Sequence, residues 1–138
     1  MKKKLCKLIG VASLVLFIGG TTSVLADSKG SFSFSFSNNV VGSTDFKLAK
    51  KYTTCDTYAQ TYRAGEVLEK KFKYKMTLEE NKLFGKSFPG NRNVTADGYY
   101  YTISFGTITK GTYNVNIGTP DPVSSYSAKI VGEGELLQ

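Results

Sequence analysis

Residues 31–37 have the sequence SFSFSFS, the most regular pattern in this chain. Its serines and phenylalanines alternate with a period of two, and successive side chains of a β-strand point to opposite faces of a sheet. Phe32, Phe34 and Phe36 therefore share one face, and the four serines share the other. The alternation predicts a strand that is buried on its phenylalanine face and exposed on its serine face.

Residues 51–62 predict a second strand, in which small residues alternate with tyrosines. Cys55 and Ala59 fall on one face of this strand, and Tyr58 and Tyr62 fall on the other. The face with Cys55 and Ala59 can be the buried one, which would leave the tyrosines on the surface. The opposite assignment fits the alternation equally well, so the pattern leaves both open.

Residues 66–78 fit two templates. As a helix they place Leu68, Phe72 and Met76 at a spacing of four residues. As a strand they collect the same three side chains on one face and add Tyr74 to them, together with the leucine at position 78. The strand template captures more of the apolar residues, so this segment favours a strand.

The remaining chain continues the alternation. Residues 83–88 predict a short strand, and residues 99–117 predict a β-hairpin. Tyr126 begins the last predicted strand, in which Gly132 and Gly134 indicate a bulge or a close backbone contact. Seven or eight short strands between turn residues indicate an all-β fold, either an antiparallel β-sandwich or a barrel.

Residues 1–26 have the three parts of a secretory signal. Lysines come first, an apolar run follows at residues 8–18, and short side chains precede Ala26. This run is shorter than the stretch of about 20 apolar residues that spans a membrane. We expect a helical signal peptide that is cleaved between Ala26 and Asp27. Residues 27–138 would then be a single β-sandwich domain, secreted without a permanent membrane anchor.

Cleavage would change the charge and the position of the first strand. The full chain has 18 basic and 11 acidic residues, a net charge of +7. Four lysines lie in the signal, so 14 basic residues remain and the net charge falls to +3. Such a modest charge speaks against nucleic acid as the partner. Residues 31–37 would become the first strand, near a sheet edge and able to pair with the core or with another molecule.

The composition narrows the possible chemistry. The sequence contains no histidine, which removes the commonest general base and the commonest metal ligand. A glycan hydrolase can use two carboxylates instead, although no spacing in this chain singles out a pair. The candidates are Asp56, Glu66, Asp97 and Asp121. A calcium site would draw on Asp97, Asp121, Glu133 and Glu135. No loop places these oxygens close together, so we expect no catalytic residue, no metal and no cofactor.

Cys55 is the one cysteine that remains after residue 26, so residues 27–138 cannot form an internal disulfide. The simplest interpretation of this residue is a small buried apolar side chain. A reactive thiol or a bridge between two molecules are the alternatives. The sequence favours the buried side chain.

Two groups of side chains are candidates for binding. In the strand template for residues 66–78, Lys71, Lys73 and Lys75 project from one sheet face about 7 Å apart, and could meet an anionic polymer. Tyr100 points away from its two neighbouring tyrosines. It could form an exposed cluster with Tyr58 and Tyr62, which suits a glycan or a protein partner. The candidate binding residues are therefore Lys71, Lys73, Lys75, Tyr58, Tyr62 and Tyr100.

These observations predict a secreted, non-enzymatic binding domain. Its exposed lysine and tyrosine face would recognise a cell-surface or cell-wall polymer, or another protein. The alternative is a secreted effector of the bacteriocin, toxin or inhibitor type. A small glycan hydrolase is the third hypothesis. The oligomeric state stays open.

Overall fold

The computed structural model describes residues 26–138, which form an all-β structure of two antiparallel sheets. The strands in chain order are β1 (Ser28–Phe36), β2 (Asn39–Val41), β3 (Phe46–Leu48), β4 (Tyr52–Arg63), β5 (Glu66–Val67), β6 (Lys73–Glu80), β7 (Ser87–Pro89), β8 (Val94–Thr95), β9 (Asp97–Thr107), β10 (Gly111–Gly118) and β11 (Ala128–Leu137). A 3₁₀ turn precedes β11. No helix among these residues is long and apolar enough to cross a membrane.

The first sheet has the order β1-β11-β4-β9, and the short β5 lies beside one end of β4. The second sheet has β10 and β6 at its centre. Strands β2 and β3 follow one another along the outer edge of β10, and β7 and β8 follow one another along the outer edge of β6. All these pairs are antiparallel. The all-β prediction is confirmed, and two facing sheets are consistent with the predicted β-sandwich.

The strand count exceeds the prediction of seven or eight because several strands are only two or three residues long. Short strands give too few residues for alternation to be visible in the sequence. The predicted signal peptide lies outside the described residues, apart from its last residue, Ala26. Asp27 extends the pairing of β1 with β11, since its N–H donates to the carbonyl of Gln138 at 2.7 Å and its carbonyl accepts from Gln138 N–H at 3.0 Å.

Strand β1 has the faces that its alternation predicts. Phe34 and Phe36 are buried, Phe32 is half-buried, and the serines at positions 31, 33 and 35 are exposed. The strand lies at the edge of the first sheet, where it pairs with β11. Burying a phenylalanine side chain contributes about 2 kcal/mol, so this face attaches β1 firmly to the core.

Glycines in β11 make room for these phenylalanines. Phe34 lies directly opposite Gly132, and Phe32 lies directly opposite Gly134. A Cβ atom on Gly132 would come within 2.7 Å of Phe34 Cζ and within 2.2 Å of the carbonyl oxygen of Tyr58. Close backbone contact therefore explains Gly132, as one of the two sequence interpretations proposed, whereas a Cβ atom on Gly134 would come within 2.5 Å of the ring of Phe32.

Strand β4 buries its small side chains, which settles the alternative that the sequence left open. The inward residues are Thr53, Cys55, Thr57, Ala59 and Thr61. Cys55 is fully buried, in agreement with the favoured interpretation of that residue. Tyr74 of the second sheet fills the space over these residues, and its hydroxyl lies 2.9 Å from Thr57 Oγ1. Thr57 Oγ1 in turn donates to the carbonyl oxygen of Glu133 at 3.0 Å.

Residues 66–78 form no helix, and the strand template describes only part of them. Strand β5 ends at Val67, residues 68–72 are irregular, and β6 begins at Lys73. From Phe72 onward the apolar side chains are buried at every second position, as the template predicts. The predicted strand at 83–88 is wrong, because residues 81–86 are a loop and β7 covers only Ser87–Pro89.

The predicted hairpin at 99–117 is also wrong. Strand β9 pairs with β4 in the first sheet, whereas β10 pairs with β6 in the second. Between them the chain crosses from sheet to sheet at Ile108, which is buried and donates its N–H to the carbonyl of Lys51 at 3.1 Å. Tyr126 belongs to the 3₁₀ turn and not to the last strand, which begins at Ala128.

Candidate functional site

Tyrosines occupy the outer face of the first sheet, because β4 buries its small residues. Tyr58 of β4 and Tyr100 of β9 are directly opposite each other, with ring centroids 5.1 Å apart and ring planes at 42°. Tyr62 lies further along β4, opposite Val67. Tyr52 stands at the start of β4 and is 59% exposed. We call these four side chains the tyrosine face.

The members of the tyrosine face differ in their accessibility. Tyr58 is only 6% exposed, so its ring supports the neighbouring ring of Tyr100 more than it offers a surface of its own. Tyr62 and Tyr100 are half-buried, which leaves part of each ring open to solvent. Tyr58, Tyr62 and Tyr100 share the outer face that the alternation of β4 indicates, but the prediction of an exposed cluster is wrong for Tyr58, because the neighbouring side chains of the sheet cover its ring.

Hydroxyl and carboxylate groups surround these rings. Thr102 Oγ1 donates to Asp56 Oδ1 at 2.7 Å, and Ser104 Oγ donates to Tyr52 Oη at 2.5 Å. Glu133, directly opposite Tyr58 on β11, has Oε1 3.5 Å from Tyr100 Oη. This surface combines partly exposed aromatic rings with hydrogen-bond acceptors. Such a combination can recognise a ligand that has both apolar and hydroxyl-bearing faces.

The predicted row of three lysines does not form. Lys73 and Lys75 are exposed on the outer face of β6. Lys71 precedes that strand, and its ammonium donates to Gln60 Oε1 at 2.8 Å and to the carbonyl oxygen of Leu68. Because Gln60 belongs to β4, these contacts hold Lys71 against the first sheet. The irregular backbone of residues 68–72 is the physical reason for this difference.

Lysines and tyrosines therefore occupy different outer faces. Lys73 and Lys75 belong to the second sheet, whereas the tyrosine face belongs to the first. Acidic groups accompany these lysines, since Asp121 Oδ2 accepts the backbone N–H of Lys73 at 2.7 Å and Glu79 lies further along the same face of β6. The structure thus separates the single lysine and tyrosine face that the sequence analysis combined.

Of the carboxylates considered for catalysis or calcium, Asp56 and Glu135 lie directly opposite each other on β4 and β11, whereas Asp97 and Asp121 accept hydrogen bonds from other parts of the structure. Asp97 accepts hydrogen bonds from Tyr101 Oη at 2.7 Å and from the N–H of Tyr99 at 3.1 Å, and the first of these raises the pKa of Tyr101. Asp121 accepts from the backbone of β6. Within residues 26–138, no group of three or more histidine, cysteine, aspartate or glutamate side chains could hold a metal ion.

One exposed feature escaped the sequence analysis. Leu83 and Phe84 are 84% and 93% exposed in the loop between β6 and β7. The sequence placed them in a strand because they are apolar, although Asn81 and Gly85 beside them are typical turn residues. We call Leu83 and Phe84 the apolar tip.

Comparisons with known proteins give little further information. No protein family matches the sequence, and no curated protein matches it. Among solved structures, the chain is similar to a family two carbohydrate esterase from Cellvibrio japonicus, with 8% sequence identity and a TM-score of 0.25. The match covers 78% of this chain and 34% of that one, so the chain spans about a third of the esterase. A TM-score of this size does not establish a shared fold.

Proposed function

We propose that this protein is an exported, non-enzymatic module of β-sandwich architecture, and that it binds a cell-surface glycan through the tyrosine face. The observation that carries the proposal is the pair of Tyr58 and Tyr100 on the outer face of the first sheet, with carboxylates and hydroxyls around it. The secretory pattern of residues 1–26 supports export.

The chemistry of the tyrosine face fits a sugar. The C–H groups of a pyranose ring pack against an aromatic face, and Tyr100 keeps part of its ring open above the supporting ring of Tyr58. Sugar hydroxyls can donate to the carboxylates of Asp56 and Glu133, and Thr102 is exposed beside them. Apolar packing with a few well-placed polar groups is the usual basis of specific ligand recognition.

The position of these tyrosines also supports binding. The inner faces of the two sheets already form a continuous core, in which Phe34 and Tyr74 meet with ring centroids 5.6 Å apart. The outer tyrosines contribute no side chain to that core, apart from the largely buried Tyr58. The outer face of a sheet is open to an extended ligand, and the lack of histidine in the sequence favours binding over catalysis.

A glycan array followed by titration of the retained glycan tests this proposal. Tyr100→Ala removes the ring that the ligand would contact, and we expect the affinity for that glycan to fall roughly tenfold or more. Tyr100→Phe keeps the ring and should retain most of the affinity. Tyr126→Ala is the control, because Tyr126 is 40% exposed on the 3₁₀ turn, where its ring packs against Phe72 and the ammonium of Lys70.

Two outcomes would contradict the proposal. One is an array on which the protein retains no glycan. The other is a glycan whose affinity does not change in Tyr100→Ala. Thermal unfolding of each variant should accompany the titrations, because a variant that unfolds would lose binding for a reason unrelated to the site.

A further inference from the structure

The apolar tip is built into a well-defined loop. Residues 81–86 join β6 to β7, and the N–H of Glu80 donates to the carbonyl of Lys86 at 2.9 Å, which closes the base of the loop. A second hydrogen bond runs from Gly85 N–H to the carbonyl of Lys82 at 3.0 Å. These bonds hold Leu83 and Phe84 away from the rest of the protein.

The backbone of Phe84 is unusual for a large side chain. Its φ angle is +60°, in the left-handed region that bulky residues rarely adopt. An exposed phenylalanine at such a position adds backbone strain to the cost of apolar exposure. Neither cost is recovered by packing within the chain, because Phe84 is 93% exposed. A contact outside the chain would account for both.

The loops at the same end of the sheets as the apolar tip carry several lysines. Leu48 at the end of β3 pairs with Gly111 at the start of β10, and the N–H of Asn81 donates to the carbonyl of Thr112 at 2.7 Å. Residues 49–51, 81–86 and 108–110 therefore meet at one end of the two sheets. The lysines of these three loops are Lys50, Lys51, Lys82, Lys86 and Lys110.

Few carboxylates balance these lysines. Glu80 forms an ion pair with Lys82 at 3.0 Å, and the hydrogen bond from Lys82 lowers the pKa of that carboxyl group. Asp45 accepts a hydrogen bond from Asn81 at 3.2 Å. Five lysines against the carboxylates of Asp45, Glu79 and Glu80 leave this end of the molecule positively charged. An apolar tip at a positively charged end complements an anionic lipid surface.

We propose that this end of the protein docks on an anionic lipid bilayer, with Leu83 and Phe84 inserted among the headgroups and the five lysines near the lipid phosphates. Apolar insertion and electrostatic attraction together give reversible interfacial binding. A protein partner fits less well, because two side chains at the tip of a narrow loop bury far less than the roughly 1,200 Å² of a stable protein interface. This docking site is separate from the tyrosine face and does not depend on it.

Tryptophan fluorescence can test insertion at the apolar tip itself. The chain contains no tryptophan, so Phe84→Trp in the full chain introduces one fluorophore at the proposed site. Val67→Trp is the matched control, since Val67 is 57% exposed on β5 of the first sheet. Any membrane contact of residues 1–25 is common to both variants, whereas insertion of the apolar tip affects only the first.

The vesicles contain phosphatidylcholine with about 30 mol % phosphatidylglycerol, a composition that gives a negative surface potential. We expect the emission of Phe84→Trp to shift to the blue and to be quenched by lipids brominated near the headgroup. The emission of Val67→Trp should stay unchanged. Pure phosphatidylcholine should reduce the shift, and added salt should reduce it on the anionic vesicles.

A loss-of-contact variant completes the test. Leu83→Ser combined with Phe84→Asn removes the apolar surface, and asparagine tolerates a positive φ angle. We expect this variant to bind anionic vesicles roughly tenfold more weakly than the unchanged chain. An unshifted Phe84→Trp spectrum would overturn the proposal. So would self-association without lipid that the double variant abolishes, because the apolar tip would then be a contact between copies.

Discussion

Strand β4 of the first sheet and the central strands of the second sheet place their bulky side chains on opposite sides. Strand β4 of the first sheet has small residues inside, among them Cys55 and Ala59, and tyrosines outside, and Gly132 of β11 lies directly opposite Ala59. The central strands of the second sheet have large residues inside, such as Tyr74 and Tyr113, which are fully buried. Their outer faces carry threonine, asparagine and lysine.

This difference shows which aromatic residues are explained by packing in the core and which are not. Large side chains from one sheet fill the space above small side chains of the other, and close packing of that kind produces a dense core. The core therefore accounts for the aromatic residues of the second sheet. It does not account for Tyr52, Tyr62 and Tyr100 on the outer face of the first, which are the residues to test for binding.

Gly132→Ala should have the largest effect, because it places a side chain where the first sheet requires none. The added Cβ would lie 2.2 Å from the carbonyl oxygen of Tyr58 and 2.6 Å from Ala59 Cβ, so backbone must move. We expect the free energy of unfolding to fall by about 3 kcal/mol, in the upper range for overpacked cores. Urea unfolding measured by circular dichroism checks this value.

Gly118→Ala is the matched control in the second sheet. The nearest atom to a Cβ on Gly118 is Lys75 Cε at 3.8 Å, an ordinary contact distance. This substitution should change the free energy of unfolding by less than about 1 kcal/mol, and reduced freedom of the unfolded chain can make the change stabilising. Equal losses for the two glycines would show that the first sheet has no special need for small residues.

Tyr74→Phe tests the hydrogen bond that joins the two sheets. It removes the hydroxyl that lies 2.9 Å from Thr57 Oγ1 and leaves the ring in place. Thr57 keeps its bond to the carbonyl of Glu133, so we expect a loss of about 1 kcal/mol at neutral pH. Tyr113→Phe provides a comparison, because the hydroxyl of Tyr113 bonds within its own end of the molecule, to the carbonyl of Thr109 at 2.8 Å. No loss in Tyr74→Phe would mean that packing alone joins the sheets.

Tyr74→Phe should also change how the free energy of unfolding depends on pH in the alkaline range. Burial raises the pKa of Tyr74, so the folded protein keeps this phenol protonated while the unfolded chain loses the proton near pH 10. The unfolded state then binds fewer protons, and stability falls as the pH rises above 10. Tyr74 should contribute about 0.8 kcal/mol of this fall near pH 10.5. Chemical unfolding of both proteins between neutral pH and pH 11 measures the difference, and equal slopes would contradict it.

Local alternation explains how much of the fold the sequence could predict. The faces of β1 follow directly from residues 31–37, because period-two alternation is a property of the strand itself. Pairing is not local, which is why the hairpin at 99–117 was wrong. Both halves alternate correctly, but buried Ile108 carries the chain from one sheet to the other. The apolar tip was missed because, in a sequence, a few apolar residues in a loop look the same as a short buried strand.

For the candidate site too, the sequence predicted local features but not the contacts between strands. Alternation placed Tyr58 and Tyr62 on one face of β4, but the register that sets Tyr58 opposite Tyr100 is a tertiary property. The choice of buried face required knowledge of what lies above it, namely the large inner residues of the second sheet. Lys71 was grouped with Lys73 because the sequence does not show that β6 begins only at Lys73.

Replacing the lysines of the second sheet should have the smallest effect on stability and on binding. Lys73 and Lys75 are exposed, and replacing both with alanine removes no buried contact. We expect the free energy of unfolding to change by less than about 0.5 kcal/mol, as is usual for surface substitutions. Affinity for a glycan retained on the array should change less than about twofold, because these lysines belong to the other sheet and salt screens exposed charges more than about 10 Å apart. If this double variant instead lost binding while Tyr100→Ala kept it, the binding surface would lie on the second sheet. The outer tyrosines would then need another explanation.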